Sequence, residues 1–401
     1  MIIAIVIGLT GLYIFSSIYL LKRERHLVAY STKERHLDST ERFPTSESIE
    51  HFESSIDHQS LSIEDRIDIF YALYDHMGAL PDKTLDHGLW FLRNAPLHPL
   101  NIFEGSISVM YTIKTKEGDQ TELTQEIVAI WKDHIEKHTG NVLYLKAAAQ
   151  YSRHLDQAFS VACWKKALEI SPFCATTLEA LASMTDTVTS KRTYNHPLPE
   201  LQEALPLFKK RLSYPWPSSA SDRLEQLREK YPLFPNWACF GILYIYGLIH
   251  PQSRPWNNYY FVAELGMTAY RCGEYDLARK CSEQFLKLQP AAEKNHNHPP
   301  LFAKGFSLAA ILALKDQNID LLNKFLEKKA EDPVESEFDF MQDEDILIEL
   351  IRGGRRDLAI GFMEKRARKN GEISLAIQAE IDYVKNGGNI FSKEYFNRRN
   401  S

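Results

Sequence analysis

Two histidines spaced four residues apart, His134 and His138, are the first candidates for chemistry in this sequence. On a helix this spacing places both imidazoles on one face, as a pair of metal ligands requires. However, the intervening Glu136 does not occupy the position of the general base in an HExxH metalloprotease, and no third ligand accompanies the pair. Both histidines also fall just before Gly140, where an imidazolium stabilises the C-terminal end of a helix. We therefore expect a helix-end role for both, and a metal-dependent enzyme is the alternative.

The other candidate motifs predict helix ends and connections rather than chemistry. His296 and His298 lie in a polar segment typical of a link between helices, and no cysteine is near enough in the sequence to complete a metal site. The paired glycines Gly353-Gly354 and Gly387-Gly388 do not extend to a GxGxxG or GxxxxGK loop, so we predict helix stops there. A GxSxG nucleophile motif is absent. The sequence thus predicts no catalytic, cofactor-binding or metal-binding residue.

The composition is that of a folded protein of mixed polarity. Its 401 residues are 44% hydrophobic and 25% charged, which excludes wholesale disorder. A net charge of −6 over this length argues against a dedicated nucleic-acid-binding protein, which would carry a basic stripe. The five cysteines are odd in number and form no CxxC pair. We therefore expect free thiols in a reducing compartment rather than a disulfide framework.

The first 21 residues are predicted to cross a membrane. Residues 1–21 contain no charged side chain and consist mainly of Ile, Leu, Val, Tyr and Phe. As a helix they would span roughly 31 Å, which matches the hydrocarbon core of a bilayer. A cleaved signal peptide would need a basic n-region and a small-x-small site, and neither is present. Because Lys22, Arg23 and Arg25 follow directly, the positive-inside rule places the large domain in the cytoplasm. An exported or periplasmic protein, with this segment cleaved or inverted, is the alternative.

The rest of the chain is predicted to be helical, in two blocks. Half of the 18 prolines fall between the blocks, where they interrupt helices, and we predict an irregular insertion that holds a short buried helix at residues 237–249. The predicted segments are, in order, the transmembrane helix at 1–21, a polar linker at 22–60, a helical-repeat block at 61–184, the insertion at 185–260, a second helical-repeat block at 261–388 and a tail at 389–401.

Two windows, residues 141–172 and residues 261–290, have the pattern of a helical hairpin. In each, small and bulky apolar residues recur at helical spacing on both sides of a central turn. The second window turns at Cys272-Gly273 and is closed by a proline, whereas the first has Leu155 where a glycine is expected. The residues that carry the pattern are Tyr144, Ala147, Ala148, Tyr151, Ser160, Trp164, Ala167 and Pro172 in the first window, and Leu265, Gly266, Ala269, Tyr270, Tyr275, Ala278, Phe285 and Pro290 in the second. Both windows resemble the tetratricopeptide repeat (TPR), a helix–turn–helix unit of about 34 residues.

This resemblance implies hairpins that stack into a solenoid, with a concave groove that binds a peptide or protein segment. In the family the first helix of each hairpin lines the groove. The set of polar residues with which some members hold a terminal carboxylate is missing here. The implied groove positions are Val142, Leu145, Ala149, Ser152 and Arg153 in the first window, and Tyr260, Ala263, Met267, Tyr270 and Arg271 in the second. From these we select Arg153, Tyr260, Met267, Tyr270 and Arg271 as the candidates for partner binding.

Charge is segregated near the C-terminus. Acidic residues concentrate in residues 331–345 and basic residues in residues 352–369. The pattern fits a solvated loop and helix face, and it also fits an electrostatic docking surface for a partner or for anionic lipid.

The sequence therefore predicts an all-α protein, a TPR-like helical-hairpin solenoid in two blocks behind an N-terminal transmembrane helix. We expect a non-enzymatic adaptor that binds a protein or peptide segment at the cytoplasmic side of a membrane. An all-helical enzyme and an exported repeat protein are the alternatives. We expect no cofactor and no nucleic-acid partner.

Overall fold

The computed structural model describes residues 47–48, 61–75, 80–98, 101, 121–189, 203–230, 234–295, 303–331, 344–368, 373 and 375–388. The predicted transmembrane helix, nearly all of the linker, the two histidines at 296 and 298 and the C-terminal tail lie outside these residues. Within them the protein is all-α, as predicted, with sixteen α-helices, three short 3-10 helices and no β-strand. In the part of the chain that the structure describes, none of the helices combines the length and the apolarity needed to cross a bilayer.

The helices are numbered in chain order. The first nine are α1 Ile63–Asp75, α2 Pro81–Asn94, α3 Thr121–Lys137, α4 Val142–Tyr151, α5 Gln157–Ile170, α6 Ala175–Thr189, α7 Ala204–Leu212, α8 Ser218–Lys230 and α9 Asn236–Ile249. The other seven are α10 Tyr259–Arg271, α11 Tyr275–Asn295, α12 Ala303–Lys315, α13 Ile319–Lys329, α14 Glu344–Arg352, α15 Arg356–Arg368 and α16 Leu375–Lys385. The 3-10 helices are Ser152–His154, Pro251–Ser253 and Pro255–Asn257.

The described residues form two compact units. The first unit contains those up to Met184 together with Trp216–Ile249, and the second contains those of Thr185–Pro215 and those from His250 onward. The proline-rich segment at 185–260 therefore contributes helices to both units.

In the first unit, large aromatic side chains join helices to one another. Trp131 of α3 packs edge-on against Tyr151 of α4, with ring centroids 5.6 Å apart. Trp216, just before α8, is buried and donates from its indole nitrogen to the Phe173 carbonyl at 3.2 Å. This hydrogen bond places the start of α8 beside the start of α6, although 43 residues separate its two partners in sequence.

The predicted hairpin at residues 141–172 is confirmed as α4 and α5, which pack against each other. Its turn avoids the left-handed conformation that a glycine would allow. The chain instead passes through the 3-10 helix Ser152–His154, and Leu155 has an ordinary φ of −94°. Asp156 then caps α5, because its carboxylate accepts from the Phe159 backbone nitrogen at 2.9 Å. The substitution of leucine for glycine thus changes the turn type and not the hairpin.

The second unit is built from successive hairpins that pack in the same way. They are formed by α10 with α11, α12 with α13, and α14 with α15. The first helix of each hairpin also packs against the first helix of the next, so α10 contacts α12 and α12 contacts α14. At one end α7 packs on α10, where the rings of Phe208 and Phe261 lie 5.9 Å apart, and at the other end α16 packs on α15.

Two glycines allow these helices to approach closely. A Cβ at Gly266 of α10 would lie 2.5 Å from Leu308 Cδ2 and 2.7 Å from Cys281 Cβ, well inside van der Waals contact. A Cβ at Gly305 of α12 would overlap the ring of Phe285 in α11. Small residues are therefore required where α10 and α12 meet their neighbours.

The three hairpin turns of the second unit share one type of helix end. Gly273, Gln317 and Gly354 have positive φ angles of 81°, 56° and 72°. In each turn the next backbone N–H donates to the carbonyl five residues earlier, at 2.8 to 2.9 Å. This is the Schellman arrangement, which satisfies carbonyls that the helix end leaves open. Gln317 is the exception to the use of glycine.

Two predictions about helices need correction. Pro290 does not end the second hairpin, because α11 continues through it to Asn295 and loses only the one hydrogen bond that proline cannot donate. The apolar helix at 237–249 is present as α9, but it is not fully buried. Cys239, Ile242 and Leu243 face the core, whereas Trp237 is 78% exposed on the other side. The reason is that α9 packs along one side only.

Candidate functional site

A cleft of about 600 Å³ opens in the second unit where the first helices of the three hairpins end. We call it the turn-end cleft. Because α10, α12 and α14 are packed side by side, their last turns and the turns that follow come together at one end of the stack. The lining residues are Tyr270, Ile311, Leu314, Lys315, Gln317, Ile319, Glu349, Arg352, Gly353 and Arg355.

The floor of the turn-end cleft is apolar. Ile311 is buried in α12, Leu314 is half-buried, and Ile319 at the start of α13 is 37% exposed. An apolar group in the cleft would therefore be removed from water by aliphatic side chains.

Basic side chains surround this floor. The Nζ atom of Lys315 lies 3.9 Å from the centroid of the Tyr275 ring, a cation–π contact. Arg352 donates to Glu349 at 2.7 Å and keeps 40% of its side chain exposed. Arg355 is 31% exposed and reaches Asp357 only at 3.4 Å. The lining thus carries three cations and one carboxylate, Glu349, a net charge of 3 − 1 = +2.

Tyr270 closes the inner side of the turn-end cleft. It is buried, and its hydroxyl hydrogen-bonds the Glu349 carboxylate. Burial raises the pKa of Tyr270, and the negative charge of Glu349 raises it further. The phenol is therefore a neutral donor at all physiological pH values. Its hydrogen bond to Glu349 joins α10 to α14. This bond also occupies part of the carboxylate that would otherwise pair with the cations.

The other residues selected on α10 have different environments. Tyr260 is 43% exposed and its ring lies 4.0 Å from that of Tyr259. Met267 is buried, so it packs between helices in this structure. Arg271 binds Asp345 of α14 through two hydrogen bonds of 3.0 and 2.6 Å, and both side chains are about 85% buried. Of the four residues selected on this helix, only Tyr270 lines the cleft, and the partner-binding role of all of them stays a prediction.

The positions selected in the first window are largely internal. Leu145, Ala149 and Ser152 are buried, whereas Val142 and Arg153 are half-buried. Arg153 lies in the 3-10 turn between α4 and α5. Arg153 is the charged residue of this set, and its role in partner binding also stays a prediction.

His134 and His138 are arranged around an aromatic ring. The His138 imidazole stacks on Tyr144 with centroids 4.0 Å apart and planes 9° from parallel. The Nε2 atom of His134 lies 2.9 Å from the Leu92 carbonyl oxygen, which requires the proton on that nitrogen. The pair thus joins α3 to α2 and α4 within the first unit. The metal-dependent alternative gains no further ligand from these contacts.

A buried ionic cluster in the first unit was not predicted from the sequence. The Lys146 ammonium lies 2.6 Å from carboxylate oxygens of Asp222 and Glu225 and 3.3 Å from the Cys174 sulfur. Thr176 donates a further hydrogen bond to Asp222 at 2.7 Å. The sulfur and the two carboxylates are close enough together to hold a metal ion, but the ammonium lies between them and supplies the positive charge. The cluster joins α4 and the start of α6 to α8.

The protonation states in this cluster follow from burial and charge. Burial lowers the pKa of Lys146, but Cys174, Asp222 and Glu225 outweigh this effect and the pKa is raised overall. Burial raises the pKa of the Cys174 thiol to about 12, although Lys146 opposes it. At neutral pH Lys146 is therefore a charged ammonium and Cys174 a neutral thiol. No spacing motif could have revealed it, because Lys146 lies 28 residues from Cys174 and 76 residues from Asp222 in sequence.

No protein-family model matches the chain, and no curated protein matches it significantly.

Proposed function

We propose that the chain is a TPR-like helical-repeat adaptor that is tethered to a membrane by residues 1–21 and binds a protein partner. The single observation that carries the proposal is the repeated packing of the second unit, in which α10, α12 and α14 lie side by side and each is followed by its own second helix. Repeats of this kind leave one row of helix ends and one extended face for a partner.

Ion pairs between neighbouring hairpins support the repeat interpretation. Glu264 on α10 pairs with Lys304 on α12 at 3.1 Å, so two first helices are joined. Arg279 on α11 pairs with Asp316 in the next hairpin's turn. Exposed pairs of this kind contribute little stability, about 0–1 kcal/mol each. They support the repeat interpretation because they follow the order of the hairpins.

The adaptor proposal also fits the distribution of reactive groups. Burial raises the pKa of the thiols of Cys163 and Cys281 to about 12, so neither is an activated nucleophile at neutral pH. The turn-end cleft, by contrast, combines an apolar floor with accessible cations, a combination suited to binding a polypeptide segment.

The membrane tether is proposed from the sequence of residues 1–21 and the basic residues that follow. It can be tested by fractionation of the full chain. We expect the chain to stay with membranes through alkaline carbonate extraction and a variant that lacks residues 1–21 to be released. Equal release of both would contradict the tether.

Partner binding can be tested by co-purification of the full chain, tagged after Ser401, in a mild detergent. We expect a second polypeptide in stoichiometric amount, and we expect chemical cross-linking before lysis to preserve it. A chain that is recovered alone under both conditions would contradict the adaptor function.

A further inference from the structure

We propose that the turn-end cleft binds an acidic segment of the partner, with an apolar side chain over the floor and carboxylates at Lys315, Arg352 and Arg355. This inference rests on the proposed adaptor function and names the class of segment that the adaptor recognises. It also moves the binding surface from the faces of the first helices to their C-terminal ends.

Three of the five groove positions implied on α10 are closed to a partner. Ala263 and Met267 are buried, and Arg271 is held by Asp345. A segment that approaches this side of the second unit therefore meets the ends of the first helices and the turns between the hairpins. There the turn-end cleft offers a volume of about 600 Å³.

Among the residues that the structure describes, the carboxylate that lines the cleft does not balance the positive charge around it. Glu349, the acidic lining residue, already accepts from Tyr270 and Arg352. Outside the lining, Asp316 is occupied by Arg279, and Asp357 is 68% exposed and only 3.4 Å from Arg355. The guanidinium donors at this rim have weak or partial partners. Carboxylates brought to the rim would accept charge-assisted hydrogen bonds from these donors, and such bonds are stronger than those between neutral groups.

The position of Arg355 separates a binding role from a purely stabilising one. Lys315 and Arg352 end α12 and α14, where a cation also stabilises the negative end of the helix dipole. Arg355 has no such benefit, since it directly precedes α15 and meets the positive end of that helix. Its placement costs α15 some stability, and an incoming carboxylate would offset this cost.

A protein segment fits the cleft better than an anionic lipid surface. The apolar groups form a recessed floor, with Ile311 buried below Leu314 and Ile319, and the cations lie around it. Side chains that alternate along an extended segment can reach both. A bilayer surface would instead require the apolar residues to project outward.

Binding of two matched peptides to the full chain in a neutral detergent tests the inference. The probe is a fluorescein-labelled peptide of aspartates and glutamates around a central leucine, and its match has asparagines and glutamines instead. We expect the acidic peptide to bind at least about tenfold more tightly than the neutral one, and we expect its affinity to fall as the salt concentration is raised. A third peptide, with serine for leucine, should also bind more weakly. Equal binding of the acidic and neutral peptides would overturn the inference.

Charge reversal locates the site. We expect the double variant Arg352→Glu and Arg355→Glu to weaken the acidic peptide at least about tenfold, and Lys280→Glu on the exposed part of α11 to leave it unchanged. Should the double variant not fold, as judged by circular dichroism and its urea midpoint, Arg355→Gln alone should still lower affinity and salt dependence. Unchanged affinity in a folded variant would overturn the inference. A different result would also overturn the inference: vesicles rich in phosphatidylserine, and not the acidic peptide, bind the wild type and fail to bind the double variant.

Co-purification distinguishes this inference from the adaptor function. If the double variant still recovers the partner that the wild type recovers, the acidic-segment inference fails and the adaptor function stands. If the wild type recovers no partner, the adaptor function itself fails.

Discussion

At the scale of single residues, Lys146 is a buried cation whose charge is balanced by carboxylates from another helix. Its side chain is 14% exposed, and Glu225 beside it is 3% exposed. Removal of one partner from a buried ion pair leaves the others uncompensated in a medium that solvates them poorly. The cluster is thus a point where a single substitution acts on α4, α6 and α8 together.

We predict that Lys146→Met lowers the free energy of unfolding by about 3 kcal/mol, because Asp222 and Glu225 lose their counter-charge. The matched control is Lys166→Met on the exposed side of α5, which should change stability by less than about 0.5 kcal/mol. Urea unfolding followed by circular dichroism measures both. Equal stability of the two variants would show that the cluster is not a structural tie.

A second residue-scale prediction concerns alkaline pH. Burial raises the pKa of Cys163, Cys174 and Cys281 to about 12 and that of Cys239 to about 11, against 9.0 for an exposed thiol. Above pH 9 the unfolded chain releases these protons and the native protein retains them, so stability falls as the pH rises from about 9 towards 12. Between pH 9 and 10 the loss is about 1 kcal/mol per thiol.

The measurement is the free energy of unfolding at pH 8, 9 and 10 with a reducing agent present. Four buried thiols together predict a loss of about 4 kcal/mol over the last pH unit, and Cys239→Ala should lessen that loss by about a quarter. Constant stability from pH 8 to pH 10 would mean that the thiols are not protected from deprotonation.

The sequence anticipates residues that act locally and misses those that act across the fold. The turn at Cys272-Gly273 was predicted because a left-handed helix end needs only a glycine and its neighbours. Nothing local distinguishes Lys146 from a lysine on an exposed helix face. Similarly, Arg271 occupies a repeat position that implies partner contact, but its engagement with Asp345 depends on the packing of α14.

At the scale of helices, close approach of the hairpins depends on glycine where first helices cross their neighbours. A Cβ atom added at Gly266 would clash with side chains of both α11 and α12. The sequence pattern indicated a small residue here. Which helices it faces became clear only from the packing of α10 against α12.

We predict that Gly266→Ala destabilises the protein by about 2–3 kcal/mol, since Leu308 and Cys281 must move to admit a methyl group. Gly361→Ala on α15 is the control, because nothing lies within 4 Å of its added Cβ. There the higher helix propensity of alanine should stabilise the protein by about 0.5–1 kcal/mol. Thermal unfolding of both variants gives the comparison, and a shift of the same sign in both would contradict the packing described.

Helix boundaries were predicted less well than helix identity. Proline was expected to close the second hairpin at Pro290, but α11 continues to Asn295. The apolar composition of α9 predicted burial, yet Tyr244 and Trp237 are exposed on one side. Composition measures the apolar surface available, whereas burial depends on how many neighbours the fold supplies.

At the scale of the whole molecule, an extended row of hairpins presents its turns at one end of the second unit. The all-α class could be read from helical periodicity. The turn-end cleft could not, because its residues come from three successive hairpins and meet only when first helices pack side by side. Two sequence signals pointed near it, the basic residues of 352–369 and the repeat position Tyr270.

Site-specific photo-cross-linking of the full chain in its own membranes tests the adaptor proposal most directly. A photoreactive amino acid would replace Ile319 at the cleft or, as control, Lys280 on the exposed part of α11. We predict a discrete cross-linked partner from position 319 and none from position 280. Adducts of equal yield at both positions, or at position 280 alone, would contradict the proposal, as would the absence of any adduct from a folded chain.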